Sequence, residues 1–200
     1  MDHEVQIISG RRPTKEELST FHGARVDDVL PKRLKLLFVG INPGLWTAAV
    51  NAHFARPGNR FWPALHRCGI TSTPVDASCG LPEEVRQELE RKGIGISNIC
   101  PLATARADEL SKEQLREGGE NLRSLVRATR PKVVAVLGVT AYRQAFGNAK
   151  VSIGRATETF EGAELWILPN PSGLNAHETI ESLAQWYGDA AQAAGVATAR

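Results

Sequence analysis

The sequence predicts a single three-layer α/β/α domain built on a central, mainly parallel sheet of four strands. Three observations point there. Four short apolar segments, Leu34–Ile41, Ile94–Ile99, Lys132–Leu137 and Leu165–Leu168, are rich in branched or aromatic residues and are bounded by Gly, Pro or Asn. Their hydrophobicity is nearly continuous rather than alternating, as in strands covered on both faces. Helical signals lie between and after them, so strand and helix alternate four times over.

Taken in order, residues 1–33 read as an N-terminal extension to a domain spanning 34–190. Thr14-Lys15-Glu16-Glu17 matches a capping box, which predicts a short helix to about His22. The pair Arg11-Arg12 before it is too short for a charge run. After the first strand, Asn59–Cys68 reads as helix. Pro82–Lys92 opens on Pro, continues with Glu83-Glu84 and stops at Gly93. Ser111-Lys112-Glu113-Gln114 is a second capping box. Its helix carries Leu115, Leu122, Leu125 and Val126 on one side and ends before Pro131. Val139–Phe146 is a shorter helix, and Val151–Phe160 a small loop or hairpin. The last helix is expected from near Asn175, with Ile180, Leu183, Ala184 and Tyr187 at i, i+3, i+4, i+7. Residues 191–200 are small and polar and are expected to fray.

Composition narrows the function less than the fold. With 24 basic and 22 acidic residues the net charge is +2, which neither demands nor excludes nucleic acid but permits a local basic face. Cys68, Cys79 and Cys100 are widely spaced and form no C-x-x-C pair, so no cysteine-built zinc or iron–sulfur site is expected. Three reduced thiols suit a cytosolic protein. The charged start lacks a signal-type apolar stretch, and no run approaches the roughly 18 apolar residues of a membrane span. A soluble, cytoplasmic monomer with no membrane partner is expected, associated with the nucleoid if the source is bacterial.

Open parallel sheets bind ligands beyond the carboxyl ends of their strands. Two loops stand there. The first strand runs into Gly40-Ile41-Asn42-Pro43-Gly44, and the fourth into Pro169-Asn170-Pro171-Ser172-Gly173-Leu174-Asn175. No G-x-G-x-x-G follows the first strand and no P-loop is present, so a nucleotide cofactor has little support and none is expected.

These loops carry a resemblance. Gly40-Ile41-Asn42-Pro43-Gly44-Leu45, followed by Pro57-Gly58-Asn59-Arg60-Phe61-Trp62, resembles the first motif of the mismatch-specific uracil/thymine-DNA glycosylases, family 2 of the uracil-DNA glycosylase superfamily. Asn170-Pro171-Ser172-Gly173-Leu174 is similar to that family's second motif, and Ser111–Gly119 to its central helix. The similarity covers roughly residues 34–190 in the family's order.

The resemblance implies a metal-free enzyme that flips uracil, or a related lesion such as ethenocytosine, from a G mismatch in double-stranded DNA. It then hydrolyses the glycosidic bond and leaves an abasic site. Asn42 would orient the attacking water, in place of the aspartate of other uracil glycosylases. Phe54 would stack on the flipped base, and the main-chain N–H groups of Ile41 and Phe54 would grip its carbonyls. Thr47 would lie beside C5 of the pyrimidine and crowd the methyl of thymine. Asn98 fits the branch that reads the N3–O4 edge with an amide. Leu174 would fill the hole left by the flipped base, with Asn170, Ser172, Gly173 and Asn175 at the DNA and the last helix's N-terminus near a phosphate.

Arg56 and Arg60 flank the pocket loop and are the candidate phosphate contacts. His53 and His177 lie in the motif regions and could touch phosphate or move a proton, although a lone histidine is more often structural. The chain departs from the family at Ala176, where Arg is frequent, and in Cys100–Thr104, which lacks an Arg common there. No lysine sits in either motif to form a Schiff base, which argues against strand cleavage. Two other readings stay open: a weakly catalytic mismatch or abasic-DNA binder of the same fold, and an unrelated α/β small-molecule binder.

Overall fold

A computed structural model describes residues 6–198 of the chain. Its sheet has five strands rather than four, in the order β2-β1-β3-β5-β4. The strands are β1 (Leu36–Gly40), β2 (Ile94–Asn98), β3 (Val133–Leu137), β4 (Gly154–Phe160) and β5 (Ala163–Leu168). The four expected strands are β1, β2, β3 and β5, and all pair in parallel. The fifth is β4, antiparallel to β5 at the edge. It lies in the stretch that reads as a loop or hairpin. Most of its residues are exposed, so no apolar run marks it. The connection Glu161-Gly162 takes two positive φ angles, the geometry of a tight hairpin.

The continuous hydrophobicity of the parallel strands has the expected cause. Leu36 and Phe38 of β1 face one core, with Phe61, Leu65, Leu183 and Tyr187. Leu37 and Val39 face the other, with Leu122, Val126 and Ile167. The helices are α1 (Lys15–Ser19), α2 (Leu45–Val50), α3 (Phe61–Arg67), α4 (Glu83–Lys92), α5 (Lys112–Thr129), α6 (Val139–Phe146) and α7 (Ile180–Ala194). The capping boxes at Thr14 and Ser111 both form. α2 carries no sequence signal: it is six residues long and Gly44, at its start, has no side chain to cap with.

Two expectations about the last helix need correction. It starts at Ile180, not near Asn175. Thr179 is the cap, its hydroxyl accepting from the Ser182 N–H at 3.1 Å, while Asn175 belongs to a preceding turn. The helix runs to Ala194, and Ala191, Ala194 and Val196 are buried in the core. The tail therefore does not fray over 191–196, and residues 199–200 lie outside the described residues.

The N-terminal segment is integrated rather than appended. Phe21 and Val26 pack on Ala48, Ala49 and Ala103. Val29 exchanges backbone hydrogen bonds with Ile96 of β2.

Candidate active site

The carboxyl ends of β1 and β2 and the loops after β1 and β5 enclose a cavity of about 160 Å³. Asn42, Thr47, Phe54, Asn98 and Asn170 line it, together with the main chain from Gly40 to Gly44. None of the lining residues is a carboxylate. Among the described residues no group of three or more His, Cys, Asp or Glu could hold a metal ion.

Asn42 follows β1 directly. Its Nδ2 donates to the Leu102 carbonyl at 2.9 Å, the Thr104 hydroxyl at 2.8 Å and the Pro43 carbonyl at 3.1 Å. Carbonyl oxygens only accept, so this face of the amide must be its NH₂. Thr104 in turn donates to the Arg106 carbonyl at 2.7 Å, which leaves its oxygen as an acceptor for Asn42. The amide is thereby locked, and its Oδ1 bonds to nothing among the described residues. A fixed carbonyl oxygen at the pocket wall can accept a hydrogen bond from a water and aim it. Thr104 carries no signal in the sequence, because its contact with Asn42 spans 62 positions.

Phe54 sits in the left-handed region at φ 55, a conformation costly for a bulky residue. Its ring stacks on Phe61 with centroids 4.1 Å apart and planes 26° apart. Phe61 is wholly buried, so the supported ring has its other face for the pocket. The Phe54 N–H has no acceptor among the described residues. Gly40 explains how the two walls meet: a Cβ there would lie 2.6 Å from Asn98 Oδ1 and 3.2 Å from Phe54 Cζ. Asn98, at the end of β2, lies in register beside Gly40.

Thr47 is 5% exposed on α2 and lines the pocket, so it is not a solvated loop threonine. His53 is 2% exposed and cannot reach a phosphate. Its Nε2 is 3.0 Å from the Asp27 carbonyl and its Nδ1 is 3.3 Å from Asn98 Nδ2. Burial pushes its pKa down to about 4, so the ring is neutral. His177 lies on the exposed loop, where its N–H donates to Asn175 Oδ1 at 3.2 Å.

The loop after β5 is a folded object. Asn170 Oδ1 accepts from the Ser172 N–H at 2.9 Å, and its carbonyl accepts from Asn175 Nδ2 at 3.1 Å. Ser172 Oγ accepts from the Leu174 N–H at 3.3 Å. Leu174 is left 86% exposed at the tip, so it staples no helix. A Cβ on Gly173 would lie 2.7 Å from the Gly58 carbonyl oxygen, so only glycine lets the two loops touch.

Arg60 requires a correction as a phosphate contact. Its guanidinium donates to the carbonyls of Ser172, Asn175 and Glu178, and its N–H to the Pro171 carbonyl at 2.9 Å. It ties the exposed loop to the pocket loop. Arg56 is exposed at the pocket rim and makes no ion pair among the described residues, so it keeps its place as a candidate for phosphate.

Residues 28–191 match the model of the uracil DNA glycosylase superfamily. Among solved structures, the fold is similar to the solution NMR structure of a Methanosarcina acetivorans protein proposed to be a uracil DNA glycosylase. The TM-score is 0.60 and the identity 15%, over 86% of this chain and 98% of that one.

Proposed function

Because the chain belongs to the uracil DNA glycosylase superfamily, we propose that it removes uracil from G·U mismatches in duplex DNA as a monofunctional glycosylase of the mismatch-specific branch. The observation that carries this reading is the locked Asn42 amide, with a free oxygen at the wall of a pocket that offers no carboxylate.

The chemistry follows from that pocket. The bond from C1′ to N1 of the base breaks, leaving positive charge on the sugar and negative charge on the departing base. A water aimed by Asn42 Oδ1 forms the new bond to C1′ and releases its proton to solvent or to the base. Asn42 is neutral and acts by placing the water rather than by taking its proton. Phe54, backed by Phe61, supplies the stacking surface, worth about 1–3 kcal/mol per base. The free N–H of Phe54 is a donor for a base carbonyl as its charge develops. Asn98 offers an amide to the Watson–Crick edge, and Leu174 occupies the vacated stack. The product is an abasic site with both strands intact, since neither motif holds a lysine for Schiff-base chemistry.

The absence of a carboxylate in the pocket lining also supports a second reading, a protein that holds mismatched or abasic DNA and turns over slowly. Incubation with a duplex carrying one G·U pair, followed by alkaline cleavage, tests both. Abasic sites accumulating within single-turnover times support the glycosylase. A mobility shift without cleavage supports the binder, and neither signal removes both readings. The same assay with ethenocytosine or thymine in place of uracil fixes the range of bases.

A further inference from the structure

We propose that His53 is a positioning residue that sets the orientation of the Asn98 amide, and thereby makes the pocket read uracil and reject cytosine. The inference rests on the glycosylase reading above and deepens it.

The argument begins at Asp27, in the N-terminal segment. Asp27 is itself fixed: its N–H donates to Asn51 Oδ1 at 3.0 Å, and its carboxylate accepts from Asn51 Nδ2 at 2.8 Å. Its carbonyl oxygen lies 3.0 Å from His53 Nε2. A carbonyl can only accept, so Nε2 carries the hydrogen. The ring is buried and neutral, with Asp27 and Arg86 as the charged side chains that act on it. A neutral imidazole has one N–H, so Nδ1 is bare and must accept. Its partner, 3.3 Å away, is the side chain of Asn98. Only the NH₂ of that amide can donate, so Nδ2 faces His53. Oδ1 faces Gly40, in the space that a Cβ would fill. The main chain of His53 is held as well, its carbonyl accepting from Trp62 Nε1 at 2.9 Å.

The consequence lies in the order of groups that Asn98 shows the pocket. Uracil presents an N3–H donor and an O4 acceptor. Cytosine presents an N3 acceptor and an N4 donor at the same positions. An amide matches one pair in one orientation and the other pair after a half-turn about χ2. Left free, Asn98 could accept either base. Tied through His53 to a backbone carbonyl, it presents one order only. In a protein that excises uracil that order must be the one matching N3–H and O4, so cytosine would meet donor against donor and acceptor against acceptor.

The test measures binding to duplexes that carry 2′-fluoro-deoxyuridine or 2′-fluoro-deoxycytidine opposite an abasic spacer, so neither probe is paired and neither is cleaved. The wild-type protein should favour the uracil probe at least tenfold. His53→Leu fills the space without an acceptor and should bring that ratio at least tenfold nearer to one. His53→Gln can donate to the Asp27 carbonyl and accept from Asn98, and should keep most of the ratio. A His53→Leu variant that weakens both probes equally, or a His53→Gln variant no better than His53→Leu, overturns the proposal. Nitrogen-15 NMR of the imidazole in the free protein supplies an independent readout, since Nδ1 must be the unprotonated nitrogen. A protonated Nδ1 overturns the relay itself. A bare Nδ1 in a wild-type protein that binds neither probe instead places the failure in the glycosylase reading, and the inference falls with it.

Discussion

The side-chain nitrogen of Asn42 lies 2.8 Å from the hydroxyl oxygen of Thr104, which donates its own hydrogen bond to the Arg106 carbonyl. The fixed, unshared oxygen of the Asn42 amide therefore depends on a residue far along the chain. Asn42→Ala should lower single-turnover cleavage of G·U DNA by about 10²-fold or more, the scale of losing a polar group that acts in the transition state. Thr104→Val removes one of three acceptors for the amide and should cost about tenfold. Abasic-DNA affinity should change little in either. Wild-type rates in Asn42→Ala would reduce Asn42 to a turn residue.

Leu174 stands 86% exposed on a loop that other residues hold in place. Leu174→Ala should weaken excision from duplex far more than from single strands, because only a duplex leaves a hole in the stack. Its melting temperature should match the wild type, as the side chain packs against little. Equal losses on both substrates would remove the wedge assignment.

Arg56 and Arg60 should separate in a salt titration. Arg56→Ala should reduce the slope of log affinity against log salt by about 0.9, the signature of one phosphate contact. Arg60→Ala should leave the slope alone. It frees the 172–178 loop, so it should speed protease nicking there and copy the duplex-selective defect of Leu174→Ala. A slope change in Arg60→Ala of the same size as in Arg56→Ala would return it to the phosphate.

Thr47 is buried at the pocket wall. If its methyl crowds C5 of the base, Thr47→Ala should raise thymine excision relative to uracil, by up to about tenfold for one methyl-sized space. The ratio of single-turnover rates on G·T and G·U duplexes is the measurement. An unchanged ratio places Thr47 away from C5.

The buried His53 also sets a pH dependence of stability. Its pKa is about 4 in the fold, against an ordinary value of 6.5. Between those values the unfolded chain binds a proton that the folded protein refuses. The stability from this site is therefore full above pH 6.5 and is lost as pH falls toward 4, by about 3 kcal/mol. His53→Gln has no such titration. Urea unfolding at pH 7 and pH 4.5 should show the wild type losing more stability than the variant over that interval. Parallel losses would mean that His53 is already protonated, or exposed, in the folded protein.

Much of this site was legible in sequence because its signals are local. The loops after β1 and β5 announce themselves in Gly, Pro and Asn, and the strands before them in unbroken apolar runs. Asn42 and Asn170, on those loops, line one cavity with Thr47, Phe54 and Asn98, which the family resemblance rather than any local signal singled out. What stayed hidden depends on distance or exposure. β4 is an exposed edge, and no apolar run marks it. Asn175 and Glu178 imitate a helix start, but Asn175 spends its side chain on Asn170 and His177, and Thr179 makes the cap. A guanidinium next to a pocket loop reads as a phosphate ligand, and nothing local reveals that Arg60 is taken by carbonyls more than a hundred residues away. The His53–Asn98 contact spans 45 positions and is equally silent.

The contact between Gly173 and the Gly58 carbonyl, closed over by Arg60, has a kinetic meaning. A tip held by such contacts forfeits less chain entropy on meeting DNA than an untethered loop would. On the glycosylase reading proposed above, every base step along a duplex would meet the same shape, and whether the probe advances would depend on how readily that step opens. Under the proposed function, discrimination between a weak G·U pair and a sound one would begin in the helix being searched, before any atom of the base has entered the pocket.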